Sequence, residues 1–119
     1  MIEIELNDNF YRVFTRRKPI IGMLHLAGDN PQEVRRRAMD ELEIYERGGL
    51  EGVIVENYHG TAEDVEDVLD AIRNGGTELA VGVNILGNAP ASFKLAETYD
   101  LPFIQIDSVE LQDQEAMGM

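Results

Sequence analysis

The sequence predicts an α/β fold in which parallel strands and helices alternate within one domain. Three observations carry that expectation: four short apolar runs, three longer amphipathic runs between them, and intervals that hold one strand and one helix each. The apolar runs are residues 19–26 (PIIGMLHL), 52–56 (GVIVE), 79–84 (LAVGVN) and 102–107 (PFIQID). They are rich in Ile and Val and mostly apolar on both faces, which indicates parallel strands covered on both sides. Equivalent points at Ile20, Val53, Ala80 and Phe103 lie 33, 27 and 23 residues apart, room for one crossover helix each time.

The first helix is expected to open on Asn30 as N-cap with Pro31 at its first position. Val34, Ala38, Leu42 and Tyr45 then recur at helical spacing until Gly48 and Gly49. The second opens on Thr61, with Asp64 three residues on completing a variant of the capping box. Its apolar stripe is Val65, Val68, Leu69 and Ile72, and Asn74-Gly75-Gly76 stops it. The third begins near Pro90, carries Phe93, Leu95, Ala96 and Tyr99, and ends before Leu101-Pro102. Residues 1–119 therefore read as one domain: an N-terminal capping segment (1–17) using Phe10, Val13 and Phe14, four βα units (18–107) and a truncated tail (108–119).

Composition narrows the function. The chain has 119 residues, a net charge of −13, 44% hydrophobic residues and no cysteine. The acidic balance repels phosphate backbones and anionic lipid, and Arg35, Arg36 and Arg37 sit among acids instead of forming a basic stripe, so nucleic acid is not an expected partner. Without cysteine there is no disulfide, thiolate zinc site, iron–sulfur cluster or thiol nucleophile. The N-terminus lacks a signal-peptide pattern, and no apolar run approaches a membrane span, so the expected location is cytoplasmic. The two lysines, Lys18 and Lys94, lie at the wrong end of the first strand and inside the third helix, which argues against Schiff-base chemistry. The first turn, residues 26–30, has neither a G-x-G-x-x-G nor a Walker-type run, and no cofactor is identified.

In parallel α/β proteins, ligands bind beyond the carboxyl ends of the strands. Those ends here are His25, Glu56-Asn57, Asn84 and Asp107, four polar endings on otherwise apolar strands. Glu56 and His25 are the acid–base candidates, since imidazole titrates near neutrality and a carboxylate at the end of an apolar strand suits proton transfer. Asn57, Asn84 and Asp107 are the substrate-positioning candidates. Each has a structural alternative: a hydrogen bond within the rim for His25, a neighbouring-strand partner for Glu56, turn formation for the asparagines, and helix capping or a carboxylate pair with Glu56 for Asp107. One imidazole with two carboxylates would suit Mg²⁺ or Mn²⁺ better than zinc, but no ligand-spacing motif supports it and no metal is expected. His59 in the following loop reads as solvated.

The blocks at these strand ends are also recognisable. Residues 18–26 (KPIIGMLHL), 48–58 (GGLEGVIVENY) and 81–86 (VGVNIL) resemble the first half of the BtpA family, one class of which is named for photosystem I biogenesis. The resemblance runs from about Lys18 to Asp107 and implies a TIM (β/α)8 barrel of phosphoribosyl-type or aldolase-like kind, with no assigned reaction. Where the family tends to a longer proline-rich loop after its HL, Gly-Asp after VENY and Arg-Asn-Asp after the third strand, this chain has residues 27–31 (AGDNP), His59-Gly60 and Gly87-Asn88-Ala89.

A full barrel takes roughly 250 residues, so four units amount to half of one, with two open edges and an apolar inner face. The expectation is a half-barrel completed by self-association, a homo-oligomer. Two functions follow: an enzyme relative binding a small polar metabolite at the strand ends, or a non-catalytic truncated barrel serving as an oligomerisation, regulatory or assembly module, which the replaced loop residues favour.

Overall fold

The computed structural model describes residues 12–14 and 18–107; the expected tail at 108–119 and Phe10 of the capping segment lie outside them. The elements run β1 (Ile21–Leu24), α1 (Pro31–Arg47), β2 (Gly52–Glu56), α2 (Ala62–Gly75), β3 (Ala80–Asn84), α3 (Ala89–Thr98) and β4 (Phe103–Ile104). The four strands form one parallel sheet in the order β1-β2-β3-β4. The alternation expected from the sequence is present, and sequential parallel strands with intervening helices are consistent with half of a βα barrel.

Helix boundaries follow their caps. Asn30 accepts the Glu33 N–H at 2.9 Å, with Pro31 opening α1. Thr61 and Asp64 close a reciprocal capping box on α2. Asn88 accepts the Ala91 N–H at 3.1 Å at the start of α3, so this helix begins one residue before Pro90. The strands at the sheet edges are shorter than the apolar runs that announce them, because pairing on one side only leaves their ends without ladder partners.

The helices and the sheet share one apolar cluster. Leu24, Val53, Val55, Val81 and Val83 from the strands pack with Val34, Ala38 and Leu42 of α1, Val65, Val68, Leu69 and Ile72 of α2, and Leu95 of α3. Each such side chain, fully buried, contributes about 1.5–3 kcal/mol. On α3 the inward row is Ala89, Ser92 and Leu95; Phe93, expected on the apolar stripe, is 36% exposed because it falls one position off that row.

Strand alternation sends the intervening residues to the other face. Phe14 and Phe103 meet there edge-on, with ring centroids 5.5 Å apart. Two glycines set the spacing on the two faces. A Cβ on Gly22 would come within 2.7 Å of the Tyr45 ring, whose hydroxyl donates to the Met23 carbonyl at 2.9 Å and so fastens α1 to β1. A Cβ on Gly82 would lie 2.4 Å from the Phe103 ring.

Helices α2 and α3 are joined through Tyr99. Its hydroxyl donates to Asp70 Oδ1 at 2.7 Å, and the Arg73 guanidinium lies 4.2 Å from the ring centroid while donating to the Thr98 carbonyl.

Gly82→Ala is expected to cost about 1–3 kcal/mol in urea unfolding, since the new methyl enters space held by Phe103. Phe103→Ala in the same chain recovers part of that loss, a coupling that independent sites would not show. A second expectation concerns alkaline pH. Burial, then the Asp70 hydrogen bond, push the Tyr99 phenol up to about 12. The folded chain thus favours the neutral phenol, a contribution that is full below the ordinary tyrosine value near 10 and lost as pH rises through about 12. The urea midpoint is expected to fall across that window, and Tyr99→Phe to remove part of the fall.

Candidate functional site

Pairing in register places Glu56 and Asn84 opposite each other as the last residues of β2 and β3. Both lie at the carboxyl edge and both are buried, Glu56 at 6% exposure and Asn84 at 1%. Asn84 Nδ2 donates to Glu56 Oε2 at 2.9 Å. The carboxylate only accepts, which fixes the amide orientation and turns Asn84 Oδ1 away from it; that oxygen is buried with no hydrogen-bond partner among the described residues.

The other carboxylate oxygen, Glu56 Oε1, faces His25, whose Nε2 stands 3.7 Å away. That separation is too long for a direct hydrogen bond and short enough for one atom of a water or ligand to bridge it. His25 is half-exposed while Glu56 lies behind it, so the pair joins a buried carboxylate to solvent. The loop after β2 folds back on His25. The His59 N–H donates to the His25 carbonyl at 2.9 Å, the Tyr58 ring lies 5.0 Å from the imidazole, and His59 meets Tyr58 edge-on at 4.7 Å. Tyr58 is 60% exposed, leaving an aromatic surface beside the imidazole.

Asn57 and Asp107 are also at this edge but engage the loop after β3. Asn57 Oδ1 accepts the Leu86 N–H at 2.8 Å, and Asp107 accepts the Gly87 N–H at 3.1 Å and 3.3 Å through its two oxygens. The neighbour of Glu56 is therefore Asn84, while Asp107 meets backbone. Ser92, which the sequence did not single out, accepts the Ile85 N–H at 2.8 Å from inside α3. Its signal was a polar residue on the inward row of that helix.

Among the described residues no group of three or more His, Asp or Glu is arranged to hold a metal ion. No helix among them is long and apolar enough to cross a membrane. A cavity of about 310 Å³ opens between α2 and α3 at the other end of the sheet, by Ile72, Arg73, Leu79 and Tyr99. Its lining is largely apolar and its arginine is already engaged by Thr98 and Tyr99.

Asn57→Ala is expected to lower stability by about 1 kcal/mol and to speed amide exchange at Leu86 more than at Val83 in the central strand. Hydrogen exchange followed by NMR checks both.

No protein-family model matches the chain, and no solved structure matches it. One curated protein does: the photosystem I biogenesis protein BtpA of Synechocystis sp., 26% identical over 118 residues. The match covers 83% of this chain and 41% of that protein. The chain thus spans less than half the length of the relative it matches, and its similarity is that of the N-terminal half of a BtpA-like protein.

Proposed function

We propose that this chain is the ligand-binding half of a BtpA-like βα barrel, taking a small polar metabolite at the carboxyl ends of its strands. Glu56 and His25 form the acid–base pair. The observation that carries this reading is the buried Glu56 carboxylate, held through Oε2 by Asn84 while Oε1 looks toward a half-exposed imidazole 3.7 Å away. An atom bridging them from the side at hydrogen-bond distance would exchange a proton with either group, the geometry general acid–base catalysis needs. Asn84 acts by fixing which carboxylate oxygen is offered. Asn57 and Asp107 act one step further out, holding the Leu86–Gly87 backbone that borders the site.

A second reading has support of its own. Among the described residues β1 and β4 are the two edges of the sheet, and such edges seek a partner strand. A second copy pairing along them would complete a barrel, and the same chain could then serve as an assembly module without catalysis. The similar protein is named for biogenesis, not for a reaction, which favours keeping this reading.

A thermal-shift screen of polar metabolites tests the first reading. At least one compound is expected to stabilise the wild-type chain and not Glu56→Gln, whose circular dichroism stays native; compounds that stabilise both proteins equally would contradict it. Light scattering tests the second. Self-association gives at least twice the 13.4 kDa chain mass at micromolar concentration, and a monomer there refutes it.

A further inference from the structure

Resting on the ligand-binding reading above, we infer that this site selects a ligand presenting hydrogen-bond donors, as hydroxyl or ammonium groups, and rejects phosphate and carboxylate anions. Two independent sets of observations lead there. The first is what the site offers. Glu56 Oε1 has an imidazole nitrogen at 3.7 Å, and Asn84 Oδ1, in the same layer of the sheet, is buried with no hydrogen-bond partner among the described residues. Both are acceptors, and a buried acceptor left unmet costs about 1–3 kcal/mol, which a ligand donor relieves.

The second is what the site withholds. Anions bind at the carboxyl edge of parallel sheets through free backbone N–H groups at loops and helix N-termini. At each of the three helix starts one of those groups is already capped by the chain's own side chain. Asn30 takes the Glu33 N–H and Thr61 the Asp64 N–H, while Asn88 takes the Ala91 N–H. Ser92, Asn57 and Asp107 take those of three successive residues, Ile85, Leu86 and Gly87. Five arginines are committed as well. Arg35, Arg36, Arg37 and Arg47 each pair with a carboxylate, and Arg73 is held by Thr98 and Tyr99. An anion arriving beside Glu56 would meet a like charge, and the His25 imidazole there already faces that carboxylate. A hydroxylated or aminated ligand meets acceptors, with the exposed Tyr58 ring next to His25 for its apolar face.

The test is an NMR titration of the isotopically labelled 119-residue chain with D-ribose, ethanolamine and inorganic phosphate in separate arms, following the backbone amides of His25, Asn57 and Tyr58. D-ribose or ethanolamine is expected to shift these signals, and which of them does so separates hydroxyl from ammonium recognition. Phosphate leaves them unmoved, and Glu56→Gln weakens the productive arm by about tenfold or more. Phosphate binding at these residues would overturn the inference and leave the ligand-site reading standing. Silence in all three arms would overturn both.

Discussion

A carboxylate at the end of a strand buried along its whole length is the constraint around which the carboxyl edge of this protein is organised. All five residues of β2 are buried, so the Glu56 carboxylate cannot rely on bulk water for its hydrogen bonds. Burying a charge without partners is prohibitive, and the sheet answers with Asn84 at the register-matched position of β3. This solution depends on alignment. A one-residue slip of β3 against β2 would turn Asn84 toward the helices and bring an aliphatic side chain to the carboxylate, so the polar pair disfavours the wrong register.

Satisfying one carboxylate oxygen from within the sheet leaves the other for the outside. His25 stands in front of it on β1's end without closing the gap, and the loop after β2 braces the imidazole through its backbone and through Tyr58. The loop after β3 is braced from both sides, by Asn57 beyond β2 and Asp107 beyond β4. A rim built this way is held by side chain to backbone bonds across neighbouring units, which fits a preorganised edge better than one that reshapes around each visitor.

Much of this was legible beforehand because it rests on local chemistry. The apolar runs gave β2 at its full length, and the asparagine–proline and threonine–aspartate patterns gave the starts of α1 and α2, since a cap is a contact between residues three apart. The polar endings of the strands were equally visible. A neighbouring-strand partner for Glu56 was among the readings, but which residue it is was not, because Glu56 and Asn84 are 28 residues apart and meet only through a register that no local pattern encodes. The same reason hid the roles of Asn57 and Asp107, whose partners are backbone groups 29 and 20 residues away. Phe93 misled for a different reason. A large aromatic on an amphipathic helix invites placement in the core, but helical geometry assigned that row to Ala89, Ser92 and Leu95.

The central claim is that Asn84 holds the Glu56 carboxylate from inside the sheet and so leaves one oxygen for chemistry. Solvent exchange of the Asn84 side-chain amide protons, followed by NMR in the wild-type chain and in Glu56→Ala, tests it most directly. One Nδ2 proton is expected to exchange slowly in the wild type and to become fast when the carboxylate is removed. Two protons exchanging at the rate of a free amide in the wild type would contradict it.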